Sequence, residues 1–265
     1  MAIVNSMGPL PRDPEADAGC LPVLYCDEHV VVIHKPAGWL VHRTGLDAGE
    51  TRFVVQTLRD QLGQRVFPVH RLDKGTSGVL VMALSSEAAR GLVQSFERHE
   101  VSKRYLAMVR GWPAEHIEVD HALKPDDAPA DAPAQSARTR FERVATLALP
   151  VPVDRYPETR VALVRAVPLT GRRHQIRRHL KHLSHPILGD ATHGKGAHNR
   201  WWAQYLGMQR LWLHACSLSF AHPISGQCME VTSSLCQSFN EDWQRLLTEG
   251  WTIRADDPDL GQTTR

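Results

Sequence analysis

Two periodicities of apolar and polar residues run along the chain, and the change from one to the other marks its elements. Short unbroken apolar runs between turn formers predict buried strands, and apolar residues three and four apart predict helices. Val30–Ile33 is a run of the first kind, with Asp27 and Glu28 as the turn before it. Further strands are expected at Val66–His70, at Val79–Leu84 and in KRYLAMVRG, where Tyr105, Ala107 and Val109 share one face. Longer strands are expected at about Thr139–Leu149 and Arg160–Val167, and RLWLHACSLSFAHP reads as a strand pair or one long strand. Helical spacing places Val54, Val55, Leu58 and Leu62 on one face, with Gly63 positioned to end that helix. SSEAARGLVQSFERHE predicts a helix capped by Ser85 or Ser86, with Glu87 in its first turn and Leu92, Val93 and Phe96 as its stripe. In GRRHQIRRHLKHLSHP, Ile176, Leu180 and Leu183 form an inward face, and FNEDWQRLLTEGW predicts a final helix.

Helices interspersed irregularly among strands predict a mixed α+β fold rather than a regular βαβ series. The expected organisation is a single catalytic domain over residues 20–250. It is flanked by a Pro-, Ala- and Asp-rich disordered tail at 1–19 and a second tail at 251–265. Residues 124–137, rich in proline and aspartate, read as a surface loop.

Composition narrows the class. No apolar run approaches the roughly 18 residues of a membrane span, and the N-terminus lacks the pattern of a secretory signal. Five scattered cysteines, with no CxxC pair, indicate neither a disulfide framework nor a zinc ribbon, so a reducing cytoplasm is the expected setting. The net charge of +2 hides a strong asymmetry. Between Arg160 and Gly189 there is no acidic residue, whereas Arg160, Arg165, Arg172, Arg173, Arg177, Arg178 and Lys181 all fall there. Such a stripe fits a polyanionic partner; it equally fits a solvated helix face with its counter-ions elsewhere.

The candidate chemistry centres on VHRLDKGTSGVLVMAL, which sets Asp73 among His70, Arg71 and Lys74. Asp73 is either a turn aspartate or a working carboxylate held ionised by cations. The nearby alternatives are weak. Of His174, His179, His182 and His185, His179 and His182 share a helix face while His174 points away, and no HExxH pattern or cysteine partner appears, so no metal site is expected. The glycine pair precedes a strand rather than a helix, the wrong order for a phosphate cradle, and Ser77 lacks a GxSxG elbow. Glycoside hydrolysis needs two acids, and only one is present. A single carboxylate facing cations suits breakage of a glycosidic bond whose leaving base is kept and re-attached, a reaction that needs no activated water.

HRLDKGTSG, KRYLAMVRG, PLTGRRHQIRRHL and LHACSLSFAHP, in that order, resemble the RluA family of pseudouridine synthases from about Leu21 to Leu247. KPAGWLVHRTGLD, GQRVFPVHRLD and HNRWWAQYLGMQRLWLHA are similar to a subgroup that isomerises uridine 65 of certain tRNAs. The resemblance implies a mixed, mainly antiparallel central sheet flanked by helices and loops, with a basic cleft. It implies an isomerase that flips its target base, binds tRNA, needs no cofactor or metal and acts as a monomer. An rRNA synthase of the same family, or an RNA-binding protein without catalysis, stands as the alternative. By the same resemblance Asp73 is the catalytic aspartate, Tyr105 the platform under the flipped uracil, and Arg177 the partner of the aspartate. Arg71 enters the vacated stack, Leu218 packs against the base, and His70 is a further base-site residue. Arg172, Arg173, Arg178 and Lys181 would then contact phosphates.

Overall fold

In the computed structural model, which describes residues 19–43, 51–125, 128–129 and 131–253, the Val30–Ile33 run lies in a strand buried along its whole length. The reason is layering. Strand β2 (Val30–Lys35) pairs with β1 (Val23–Cys26) and with β4 (Ser77–Ala83), to which the short β3 (Phe67–Pro68) is also added. Helix α1 (Val54–Leu62) packs Val54 and Leu58 against Val31, Ile33, Leu80 and Met82 on one face. Helix α2 (Ser86–Glu97) packs Ala88 and Leu92 against Val30, Val32, Val79 and Val81 on the other. A sheet covered on both faces requires continuous apolar runs, not alternation.

The rest of the sheet is built from β5 (Ser102–Arg110), β6 (His116–Asp120), β7 (Arg138–Leu149), β8 (Thr159–Pro168), β9 (Leu213–Ala221), β10 (Cys228–Thr232) and β11 (Thr252–Ile253). Among the described residues the main order is β1-β2-β4-β9-β5-β8-β7-β11, with β6 on β7 and β10 on β9. Helices α3 (Gln175–His182), α4 (Gly196–Leu206) and α5 (Glu241–Leu247) cover this half, where Ile176, Leu180, Trp202, Trp212 and Trp243 are buried. The pairings are antiparallel except where the two halves meet. There β4 and β9 run parallel through Ser77↔His214 and Gly78↔Ala215. The approach is so close that a Cβ on Gly78 (φ +111°) would lie 2.2 Å from the Ala215 carbonyl oxygen. Ser77 Oγ lies 2.9 Å from His214 Nδ1 and accepts from Arg210 Nη2 at 2.8 Å, bracing that seam. The architecture is the expected α+β fold with a mixed, mainly antiparallel sheet.

Several local expectations are corrected. The strand expected at Val66–His70 shrinks to Phe67–Pro68 because Pro68 has no amide hydrogen and the His70 ring, not a strand carbonyl, takes the Val81 N–H at 3.1 Å. The helix expected from Gly171 starts only at Gln175, after His174 at φ +55°. The final helix is shortened by a 3-10 turn at Ser238–Asn240, and α4, β6 and β10 had no counterpart in the pattern reading. Ser85 is the cap of α2, accepting from the Ala88 N–H at 3.1 Å. Residues 1–18 and 254–265, and with them nearly all of both expected tails, lie outside the described residues, as do 126, 127 and 130 of the 124–137 loop.

Candidate active site

Asp73 sits in the turn that delivers the chain into β4. Its own carbonyl accepts the Thr76 N–H at 3.0 Å, closing the turn. Beneath it lies Lys35, fully buried at the end of β2. The Lys35 ammonium donates to the carbonyls of Pro36 and Trp39, both at 2.9 Å, and of Lys74 at 3.2 Å. Gly38 N–H adds a second bond to the Lys74 carbonyl at 2.8 Å. Burial pushes the Lys35 amine down to about 7, while Asp73 pulls it upward and Arg210 adds to the lowering. The turn bearing Asp73 is therefore anchored to the sheet by a cation under it.

Arg177 approaches from the other half. Gln175 fixes the start of α3: its Oε1 accepts from Thr170 Oγ1 at 2.6 Å and from the Arg172 N–H at 3.0 Å, and its Nε2 donates to Arg138 O and Thr139 Oγ1. Arg177 then donates from Nη1 to Asp73 Oδ2 at 2.9 Å. Its other edge grips Asp190 through Nε at 2.7 Å and Nη2 at 2.8 Å, a bidentate pair. Asp190 also accepts the N–H groups of Thr192 at 2.9 Å and His193 at 2.8 Å. Burial pushes its carboxyl up, but the Arg177 and backbone hydrogen bonds outweigh burial and hold it below the usual carboxylate range. Asn199 on α4 clasps the same peptide, accepting the Gly189 N–H and donating to Asp190 O, both at 2.9 Å. Sequence reasoning missed Asp190 and Asn199. The available signal was that Asp190 is the first acid after the acid-free stretch ending at Gly189, and so the nearest counter-ion in sequence for its arginines.

The two halves enclose a cavity of about 350 Å³, within the range of small-molecule sites. His70, Arg71, Asp73, Tyr105, Arg172 and Arg177 all line it, joined by Lys103, His174, Leu72, Ile176 and Leu213. Burial, then Asp73 and Cys216, push the Tyr105 phenol well above its ordinary value, so it stays protonated at neutral pH. His174 Nε2 lies 3.8 Å from Asp73 Oδ1, and its Nδ1 lies 3.2 Å from His193 Nε2. Residues 29–182, from β2 to the end of α3, match the RNA pseudouridylate synthase family. The chain belongs to that family. The tRNA pseudouridine synthase C of Vibrio cholerae serotype O1 is 48% identical over 239 residues, 87% of this chain and 96% of that protein. That of Yersinia pestis is 46% identical over 240 residues, 88% and 92% of the respective chains. Among solved structures, human RNA pseudouridylate synthase domain containing 1 aligns with a TM-score of 0.65 at 25% identity, over 84% of this chain and 86% of its own. Human RNA pseudouridylate synthase domain containing 4 aligns at 0.63 and 25%, over 85% and 93%.

Within this pseudouridylate synthase, the other sequence-predicted residues fall outside the cavity lining. Leu218 is 2% exposed and packs in the core beneath α2; Leu72, Ile176 and Leu213 supply the apolar lining instead. Arg178 donates to Lys124 O at 2.7 Å, and Arg172 Nε donates to Ser136 O at 3.1 Å, so two arginines of the basic stripe hold the two ends of the 124–137 loop. Arg173 and Lys181 are exposed on and just before α3. His70 lines the cavity, yet its ring is stacked on Phe96 at 4.5 Å and its Nε2 is occupied by Val81 N–H. Burial, with Lys103 nearby, pushes it down to about 3, so it is neutral. His179 is buried between Thr139 Oγ1 and His121 O, and His182 stacks on His121 at 4.0 Å. Among the described residues no cluster of three or more His, Cys, Asp or Glu could hold a metal, and no helix is long and apolar enough to cross a membrane.

Proposed function

We propose that this protein isomerises uridine to pseudouridine in tRNA, at position 65, with Asp73 as the catalytic acid group. The observation that carries the reading is the 2.9 Å pair between Asp73 and Arg177, two residues distant in sequence, inside one cavity that also holds Tyr105. The names of the relatives supply the tRNA class.

The target nucleotide must leave its stack to reach this cavity, at a cost of a few kcal/mol. Arg71, exposed at the mouth, fills the vacated place with a planar cation. Tyr105 offers a stacking surface that returns about 1–3 kcal/mol. Arg177 aims the Asp73 carboxylate through its 2.9 Å hydrogen bond. The Asp73 carboxylate then attacks C1′ as the N1–C1′ bond breaks, and the uracil leaves as an anion that stays in the cavity. It turns, and C5 attacks C1′ and displaces the carboxylate. The C5 proton is carried off by the Tyr105 hydroxyl or an adjacent water, and N1 takes up a proton. Because the Tyr105 phenol is held protonated, it relays that proton by handing on its own; it does not wait as a phenolate. Atoms are conserved throughout, so the scheme calls for no co-substrate.

The test is Asp73→Asn. The variant should bind a tRNA transcript as the wild type does and form no pseudouridine in a site-resolved assay. Product at near wild-type rate would remove the assignment. Maps of tRNA and rRNA from cells with and without the gene test the substrate; a site lost only from rRNA refutes the tRNA reading.

A further inference from the structure

Lys103 is two residues before Tyr105 on β5 and lines the same cavity. Its neighbour Arg104 is satisfied on the other side of the strand, donating from Nε to Ser217 Oγ at 2.8 Å and from Nη2 to Glu230 at 2.9 Å. Lys103 has no such arrangement. Among the described residues its side chain makes no hydrogen bond or ion pair, and Asp73, the one carboxylate lining the cavity, is taken by Arg177. Burial lowers the Lys103 amine, and no acid offsets that cost. A half-buried cation without a counter-charge carries a desolvation cost that an arriving anion offsets.

Position selects which anion. Exposure falls along β5 from Ser102 to Leu106, so Lys103 lies nearer the mouth than Tyr105, by about 7 Å of strand. That separation matches the span from a nucleobase to its own phosphodiester. A Cβ on Gly171 would meet only the Lys103 ammonium, at 3.9 Å, so the head group sits beside the bare Thr170–Arg172 turn at the entrance. With no side chain at Gly171, the approach to the ammonium is open. Uracil carbonyls are neutral and would not offset this half-buried charge.

Building on the synthase reading above, we propose that Lys103 seats a backbone phosphate flanking the flipped uridine, fixing how deep the base reaches onto Tyr105. The contact is specific to the bound RNA and adds a phosphate site that the basic stripe on α3 does not provide.

The experiment uses the full chain and a tRNA-arm RNA carrying, in turn, a neutral methylphosphonate at each linkage flanking the target uridine. Affinity is measured against KCl concentration, and pseudouridine formation is measured on the unmodified RNA. Lys103→Gln should weaken binding about tenfold or more. It should also flatten the slope of log K against log salt by roughly 0.7–0.9. Lys103→Arg should keep the slope. One of the neutral linkages should weaken wild-type binding and have little further effect on Lys103→Gln. An unchanged slope in Lys103→Gln, or the full linkage penalty persisting in that variant, overturns the proposal. So does a wild-type protein indifferent to both linkages, a result that decides the matter even if Lys103→Gln fails to fold. Absence of product with wild-type protein would instead refute the synthase reading, so the two failures are distinguishable.

Discussion

Replacing Asp190 with Asn isolates the role of a carboxylate that never faces the cavity. The side chain of Asp190 is fully buried and holds two of the three Arg177 contacts, at 2.7 and 2.8 Å. Asparagine is nearly isosteric, but it can accept only on one atom, and its amide NH₂ then points at a guanidinium that also donates. One charge-assisted hydrogen bond is lost outright and the other loses the carboxylate's charge, keeping only that of the guanidinium. Breaking one partner of a buried pair costs about 3–5 kcal/mol of stability. Arg177 also becomes free to tilt, so its 2.9 Å contact with Asp73 is no longer fixed. Loss of one charged hydrogen bond, about 1.5–3 kcal/mol, corresponds to roughly 10- to 150-fold in rate. We therefore expect kcat to fall in that range with KM for RNA little changed, because Asp190 touches no substrate. Urea denaturation should show the stability loss. The pH dependence supplies a third readout. The folded-state carboxyl of Asp190 is lowered, so its contribution is present above the ordinary carboxylate value and disappears as pH falls through the lower folded value. The acid limb of the wild-type stability curve should be steeper than that of Asp190→Asn. Wild-type kcat in a folded Asp190→Asn protein would refute the idea that Asp190 positions Arg177.

Tyr105→Phe keeps the platform but removes the relay; RNA affinity should hold while turnover falls about 10²–10⁴-fold, and unchanged single-turnover kinetics would leave Tyr105 a platform only. Gly189→Ala should destabilise by more than about 3 kcal/mol, because the left-handed backbone (φ +76°) costs about 1–3 kcal/mol and the new Cβ would lie 1.7 Å from Arg210 O. Gly63→Ala, equally left-handed at φ +66° but with nothing within 4 Å, should cost only about 1–2 kcal/mol in the same thermal melts. Arg178→Ala should lower stability by about 1 kcal/mol through release of Lys124 O, and leave the salt slope of RNA binding as it was. A flattened slope would return Arg178 to the phosphate-contact role.

The strands that bury both faces, β2 and β4, were readable because their apolar runs have no other use. β6 and β10 were not, since each is five residues long, mostly exposed and defined by pairing to β7 and β9 rather than by its own pattern. Helix α4 was hidden by Trp201, Trp202 and Tyr205, which blur its helical period. Asp73, Tyr105 and Arg177 were found through motif resemblance, and the fold brings all three to one cavity. The basic stripe also does work inside the fold. Charge in a sequence shows that cations are adjacent, not where their counter-ions lie. Arg172 and Arg178 turned out to hold backbone carbonyls of a distant loop, and Arg177 a buried acid.

The seam between β4 and β9 has only two rungs, with Asp73 borne by one half of the sheet and Arg177 by the other. Their ion pair is consequently a tie-beam across the molecule as well as a local pair. On the proposed scheme, bonding of the carboxylate to a sugar carbon would take away its negative charge and slacken the beam at that moment. On that scheme covalent progress and the mechanical coupling of the two half-sheets become one variable, and a variant at either end should alter both.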